Sequence, residues 1–370
     1  MRKICSWIKS ETVLVAAWLL ALVSMVFVPP DEGYWEYIDV HTLLLLFSLM
    51  AVMAGFQQLG VFRRLGEVLL VRISSTRQLE GVLIFLPFFV GMIVTNDVAL
   101  ITFVPFALEV LKMADRENRL IPVVAMQTIA ANLGSMTTPI GSPQNLYLYI
   151  HYELNMAVFF RTMLPLTVAS AVLLGMFLFL TKSQPLVASE IVTGAKWDNR
   201  RLWLYIFLFV LCMGVVAKII PVWLVSGIVL AAILIWDRPI LQKVDYALLF
   251  TFVGFFLFVG NLGRLPLFRK LFQQVLTGHE VLCSVLASQV ISNVPTALLL
   301  SGFTEKGTAL LVGTNLGGLG TLIASMASLI SFKQIARNNP QQRIRYLIWF
   351  TVANLIFLIV LMGLVFLCEQ

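Results

Sequence analysis

The sequence predicts an all-α integral membrane protein built as an inverted repeat, with two re-entrant hairpins, two discontinuous helices and about nine full crossings. Three observations carry this expectation. Of the 370 residues, 59% are hydrophobic and 12% are charged, with a mean hydropathy of +0.92, which is more apolar surface than a water-soluble core of this length could hide. Apolar stretches of spanning length recur along the whole chain and leave no room for a separate soluble domain. Three pairs of motifs also recur in the same order in the two halves.

A first span is expected at 12 to 28. Its apolar run is longer than a signal-peptide core and ends in "PPDEG" without a clean small-residue cleavage site, so it is read as a retained helix. The second span covers 40 to 58. Segment 81 to 108, "GVLIFLPFFVGMIVTNDVALITFVPFAL", places Thr95, Asn96 and Asp97 in the middle of an apolar run. As one helix it would extend about 42 Å, beyond the hydrocarbon thickness of about 30 Å. Folding at the polar triplet gives a hairpin over 79 to 112. Its tip then lies at membrane depth, where protein or a water-filled cavity must satisfy the backbone.

Stretch 120 to 150 is too long for a simple span and contains "NLGSMTTPIGSPQN", so it is expected to break near the bilayer middle. A full span at 156 to 180 closes the first repeat, residues 1 to 180. A hydrophilic linker follows at 181 to 200, expected on the cytoplasmic side, and an additional span at 201 to 217. The second repeat, 218 to 370, has spans at 219 to 236 and 245 to 263, a hairpin at 279 to 303, a broken helix at 306 to 334 and a last span at 345 to 367.

The repeat rests on three alignments. "LFSLMAVMAGFQQLGVFRRL" at 46 to 65 resembles "LFTFVGFFLFVGNLGRLPLFRKL" at 249 to 271, pairing Gly55 with Gly260. "TNDVALI" at 95 to 101 resembles "SNVPTALL" at 292 to 299, and "NLGSMTTPIGSPQN" at 132 to 145 resembles "NLGGLGTLIASMAS" at 315 to 328. Each half has an even number of crossings, so the additional span turns the second half upside down. Lys and Arg cluster in loops of one parity, with Arg264, Arg269 and Lys270 as exceptions on the other side, which places the N-terminus in the cytoplasm and the C-terminus outside a bacterial inner membrane. The formal charge of +7 is therefore read as orientation rather than as a nucleic-acid surface. Cys5, Cys212, Cys283 and Cys368 are widely separated and form neither a disulfide framework nor a metal pattern.

Inverted repeats with broken helices that meet at the midplane are a construction of secondary transporters, so function is expected at the meeting point. The candidate solute and ion ligands are Thr95, Asn96 and Asp97 at the first tip and Ser292, Asn293 and Thr296 at the second. In the breaks they are Thr137, Thr138, Gly141, Ser142 and Asn145, then Thr314, Asn315, Gly320 and Thr321. Prolines and glycines free carbonyls and permit unusual turns. Amide, hydroxyl and carbonyl oxygens suit Na⁺, with Asn96 and Asn293 as the leading ligands, while half-helix N-termini can hold an anion without Lys or Arg. Pro295 is expected as the first residue of a new helix. Polar residues also join membrane helices by hydrogen bonds, and Asp97 reads either as an ordinary cap or as a coupling group. No nucleophile with a base and no metal constellation is visible, so an enzyme is not expected and neither is a cofactor, apart from Na⁺ or H⁺ as coupling ion. A cation/proton antiporter or metalloid exporter with Asp97 as the titrating group is the second reading, and a receptor that binds without moving solute is the rival from another class.

"SNVPTALLL", "TNDVALITFVP" and "NLGSMTTPIGSPQN" resemble the ion transporter superfamily, which includes divalent anion:sodium symporters, citrate carriers and arsenite permeases. The resemblance covers nearly the whole chain and is closest to a short bacterial inner-membrane branch described as anion transporters. In sodium-coupled dicarboxylate members each tip carries Ser-Asn-Thr, whose side chains contact Na⁺ and carboxylate. Thr95 and Asn96, and Ser292 and Asn293, match the first two places; Asp97 and Val294 depart at the third. A fixed charge at Asp97 beside a dianion is costly unless protonated or paired with a cation. The Asn-Asp pair resembles the arsenite permease side, where the solute is neutral or the coupling ion is a proton. The resemblance implies an elevator-like motion, a homodimer and an anionic solute.

Overall fold

The computed structural model describes residues 11–70, 73–185 and 198–368. The linker expected at 181 to 200 lies mostly outside the described residues, as do Arg2, Lys3, Lys9, Arg72 and Lys196. The described chain is helical throughout, with a single isolated bridge between Ser75 and Pro185 in place of any strand.

In the first half the helices are α1 (Thr12–Phe27), α2 (Val40–Gln58), α3 (Val61–Leu70), α4 (Thr76–Gly91), α5 (Asn96–Met113), α6 (Leu120–Ser135), α7 (Pro143–His151) and α8 (Met156–Leu180). In the second they are α9 (Asn199–Val216), α10 (Val222–Trp236), α11 (Tyr246–Arg264), α12 (Pro266–Leu276), α13 (Glu280–Ile291), α14 (Asn293–Ser301), α15 (Gly307–Gly317), α16 (Met326–Asn338) and α17 (Arg343–Cys368). Local chemistry sets many of these starts. Asp39, Ser75, Asn155, Asp198 and Asp245 each accept backbone N–H groups at the head of α2, α4, α8, α9 and α11. Pro143 and Pro266 occupy first-turn positions where no N–H partner is required. By length and composition, α2, α8, α9, α11 and α17 with the turn before it are long and apolar enough to cross a membrane.

Two helices were absent from the sequence expectation. α3 and α12 are short and amphipathic, and they hold "FRRL" and "FRKL", which the sequence aligns with each other in the repeat but leaves outside the spans expected at 40 to 58 and 245 to 263. Their stripe of apolar side chains opposite charged ones suits the membrane interface. A second difference is at the second tip, where α14 starts at Asn293, with Ser292 in the cap position and Pro295 in the first turn rather than at its first residue.

The packing repeats between the halves. α4 lies along α6, and α13 lies along α15. α5 packs on α16 of the other half, and α14 packs on α7. The entrances match as well. Glu80 near the start of α4 is paired with Arg119, one residue before α6, at 2.6 Å; Glu280 at the start of α13 is paired with Lys306, one residue before α15, at 3.3 Å. Gly55 and Gly260, paired in the sequence alignment, each lie under a tyrosine ring, Tyr205 and Tyr37 respectively, and a side chain at either would collide with it.

Candidate functional site

α4 ends at Gly91 and α5 begins at Asn96, so Thr95, Asn96 and Asp97 form the turn and first helical residues between two packed helices. The Asn96 side-chain oxygen accepts the N–H of Asp97 at 3.0 Å, while Nδ2 donates to Oδ1 of Asn132 at 2.9 Å on the last turn of α6. Asn293 opens α14 in the same way, its Oδ1 accepting the N–H of Val294 at 3.0 Å. Its backbone N–H donates to the Ala324 carbonyl at 3.0 Å, in the interruption between α15 and α16.

Each interruption is tied to the tip of its own half by a threonine. Thr138 donates through Oγ1 to the Met92 carbonyl at 2.5 Å, and Thr321 donates through Oγ1 to the Gln289 carbonyl at 3.2 Å. Met92 and Gln289 each stand four residues before the tip asparagine, and Thr138 and Thr321 each stand six residues after Asn132 and Asn315. Gln289 does more than its counterpart. Its Nε2 donates to the carbonyls of Gly317 and Leu319 at 3.0 and 2.9 Å, and its Oε1 accepts the N–H of Thr321 at 2.9 Å. Gly320 between them has φ +107°, a conformation that strongly favours glycine.

Contacts across the halves follow the same pairing. Asn315 donates to Oδ1 of Asn145 at 2.6 Å, and Asn132 donates to Oγ of Ser328 at 3.4 Å. Since Asn132 aligns with Asn315 and Asn145 with Ser328, these are one contact with the halves exchanged. Ser325, at the cap position of α16, donates to Oδ1 of Asn132 at 3.2 Å. Ser142 holds the corresponding position ahead of α7, and its buried Oγ has no partner. A chain of bonds thus runs from Asn96 through Asn132 to Ser325, one residue from the Ala324 carbonyl that holds Asn293. The two tip asparagines are linked through this bridge rather than by direct contact.

The remaining candidates bond within their own half, with the exception of Asp97. Thr137 bonds to the Gly134 carbonyl at 2.8 Å and to the hydroxyl of Thr167 at 3.1 Å. Thr296 and Thr314 return their hydroxyls to carbonyls one helical turn back, Ser292 and Leu310. Gly141 lies so close to the Ser135 carbonyl that a methyl group would collide with it. Ser292 adopts φ +74°, ψ 155°, and its Oγ lies 3.4 Å from both Asn293 Oδ1 and the Ala324 carbonyl. Asp97 is the only charged side chain in the four clusters, and its buried Oδ1 has no partner.

These groups offer amide, hydroxyl and carbonyl oxygens beside helix starts, a set that suits a small anion held by N–H dipoles and a cation held by oxygens. No group of His, Cys, Asp and Glu among the described residues is arranged to hold a metal ion. The motif readings did not single out Asn132, Ser325 and Ser328 as ligands, although all three lie inside the aligned motifs. Gln289 also went unremarked. Its signal was its fixed distance from the tip asparagine.

Residues 4–306 match the citrate transporter (CitMHS) family. The inner membrane protein YbiR of Escherichia coli is 30% identical over 348 residues, covering 90% of this chain and 92% of that one. The uncharacterized transporter MJ0456 of Methanocaldococcus jannaschii is 30% identical over 291 residues, 78% of this chain and 80% of that protein. The silicon efflux transporter LSI3 of rice (Oryza sativa subsp. japonica) is 25% identical over 414 residues, covering 87% of this chain and 84% of its own length.

Proposed function

We propose that this protein, which belongs to the citrate transporter family and is therefore a membrane secondary transporter, carries a small anionic solute coupled to Na⁺ or H⁺. One observation carries the reading: the contacts Asn315–Asn145 and Asn132–Ser328 are equivalent under exchange of the halves and join both interruptions at one centre. Equivalent half-sites that meet between interrupted helices match the construction of alternating-access transporters, in which solute and coupling ion bind where two inverted repeats meet.

In this reading the α4–α5 and α13–α14 pairs are re-entrant hairpins, the α6–α7 and α15–α16 pairs are broken helices, and the chain makes nine crossings. The N-terminus is cytoplasmic and the C-terminus external in a bacterial inner membrane. The hairpins and broken helices move together as an elevator against α2, α8, α11, α17 and their neighbours, in a homodimer. The unpartnered Ser142 Oγ supports placing cargo beside α7, where a bound oxygen or ion would complete its hydrogen bonding.

A second reading has its own support. Asp97 puts a carboxyl oxygen, buried and unpartnered, at the first tip, and the clusters hold no Lys or Arg to neutralise it. With Asp97 as the titrating group, the site would serve a cation/proton antiporter or an arsenite-type metalloid exporter.

The test is transient current from purified protein in proteoliposomes on a solid-supported membrane. Jumps of carboxylates, phosphate, sulfate and arsenite are applied with Na⁺ or with K⁺ in its place. Current with one anion supports the first reading, and its dependence on Na⁺ or on pH names the coupling ion. Silence to all anions, with current on pH jumps alone, supports the second. Saturable binding without current or tracer flux overturns both.

A further inference from the structure

α8 and α17 both pack on α6, and the space between them is a groove of about 850 Å³, lined almost entirely by apolar side chains. Met126 of α6, Met176 of α8, and Ile348, Val352 and Ile356 of α17 line it. The groove follows α17 from Arg345 to Val360, about 22 Å of helix, which exceeds the roughly 15 Å half-thickness of a hydrocarbon core. At the Arg345 end it opens into a second cavity of about 620 Å³ with a different character. The two share Phe177, Leu180, Arg345 and Trp349.

The second cavity is lined by Arg116, Arg119, Lys182 and Arg345, with Glu80 as its carboxylate. Glu80 is already committed to Arg119, in a two-pronged pair at 2.6 and 2.8 Å. Arg116, Lys182 and Arg345 have no ion-pair partner among the described residues. The backbone at Lys182 is anchored at its own carbonyl and on both sides: Thr76 Oγ1 donates to the Lys182 carbonyl at 3.3 Å, the Thr76 N–H to the Gln184 carbonyl at 2.9 Å, and Arg77 to the Thr181 carbonyl at 2.8 Å. The cations line an opening at the end of an apolar groove, with Trp349 at the junction, a residue type favoured at the membrane interface.

We infer that this compound cavity is a binding site for one anionic phospholipid, with the headgroup phosphate among Arg116, Lys182 and Arg345 and an acyl chain along α17. Charge complementarity selects this occupant. A zwitterionic lipid brings its own cation into a cavity that already has three in excess. A second copy of the chain, docked through the same face about a two-fold axis, would bring a second set of the same unpaired cations into the interface. Basic pockets between membrane helices are a recurring form of anionic headgroup recognition.

The test uses the full chain, purified in detergent and delipidated, with lipid retention read by native mass spectrometry. The probes are phosphatidylglycerol, phosphatidylcholine, glycerol 3-phosphate and inorganic phosphate. Phosphatidylglycerol is expected to bind in preference to phosphatidylcholine. The triple variant Arg116→Gln/Lys182→Gln/Arg345→Gln should weaken it by about fivefold for each cation removed, so on the order of a hundredfold in all. Arg119 is left intact because it neutralises the buried Glu80. The variant Val352→Trp, which fills the groove and keeps every charge, should also lower phosphatidylglycerol retention while sparing free phosphate. Equal retention of the two lipids, unchanged binding in the triple variant, or binding of the water-soluble phosphates as tight as that of lipid would overturn the proposal. So would a dimer that Val352→Trp dissociates in the absence of lipid.

Discussion

Asn315 Nδ2 donates to Oδ1 of Asn145 at 2.6 Å, joining two helix interruptions that lie 170 residues apart in the chain. Both side chains are buried, Asn145 completely, and Asn145 Nδ2 in turn reaches the carbonyls of Ser135 and Thr138 at 3.3 Å. Removing Asn315 leaves the buried Asn145 Oδ1 without a donor, and removing Asn145 leaves Asn315 Nδ2 with its bond to the Leu311 carbonyl at 2.7 Å alone, a loss of about 1–3 kcal/mol in either case. Asn145→Ala and Asn315→Ala should each lower thermal stability by that order, and the double variant should cost less than the two together. Strict additivity in thermal unfolding of the four proteins would mean that the bond couples nothing.

Flux should be lost in Asn96→Ala and in Asn293→Ala, with folded protein retained. Asn96 also loses its bond to Asn132, whereas Asn293 keeps its backbone N–H on the Ala324 carbonyl. Asn96→Ala is accordingly expected to show the larger drop in melting temperature. Normal proteoliposome flux in both variants would remove the tips from the transport site.

Asp97→Asn separates the two transport readings. Under anion symport with Na⁺, the variant should retain coupled current, because the amide still stands in the first turn of α5. If Asp97 carries the coupling proton, the variant should lose pH-driven current, since an amide binds no proton in this range. Current measured in steps from pH 5 to 8 decides between them, and a pH profile that survives the substitution unchanged excludes Asp97 as the proton carrier.

Helix placement was largely legible because membrane spans are long apolar runs: the expected bounds 40 to 58 coincide with α2. The interruptions were legible for the same reason, since Gly, Pro and Asn inside apolar runs are conspicuous. What could not be read was direction. Thr137, Thr138, Thr296 and Thr314 look alike in sequence, yet only Thr138 reaches across to a tip, while Thr296 and Thr314 bond one turn back. That difference depends on which face of each helix meets its neighbour. α3 and α12 escaped notice because an amphipathic helix of 10 or 11 residues attached to a span differs from it in hydrophobic pattern and hardly in composition. Gln289 was hidden by its chemistry, since a lone glutamine near a helix end is usually a solvated side chain.

Ser292 occupies a backbone region that is costly for any residue with a Cβ, by about 1–3 kcal/mol. Its two side-chain contacts, both 3.4 Å, are long and offset little of that cost. Ser292→Gly should therefore stabilise the fold by roughly 1 kcal/mol after the added freedom of glycine in the unfolded chain is counted, and so raise the melting temperature. If the hydroxyl contacts cargo, the same variant should transport more slowly. A lower melting temperature would show that the hydroxyl bonds outweigh the backbone strain, and unchanged flux would take the hydroxyl out of the site.

The Glu80–Arg119 pair predicts an asymmetry between its two deletions. The Glu80 side chain is 5% exposed and that of Arg119 is 32% exposed, so water can reach the guanidinium far more readily than the carboxylate. Hydrogen bonding to Glu80 pushes Arg119 still further toward its protonated form, against the partial burial that opposes it. Arg119→Ala strands a buried carboxylate, a change that costs on the order of 3–5 kcal/mol where no other cation steps in. Glu80→Gln leaves a cation that solvent can stabilise, at about 1 kcal/mol. At the matching entrance, Lys306 is 59% exposed and Glu280 6%, so Lys306→Ala should resemble Arg119→Ala in direction. It should be smaller, because a single ammonium at 3.3 Å contributes less than a two-pronged guanidinium. Melting temperatures of the three variants test the ordering, and a Glu80→Gln loss equal to that of Arg119→Ala would show that the pair itself, rather than the buried carboxylate, sets the stability of this entrance.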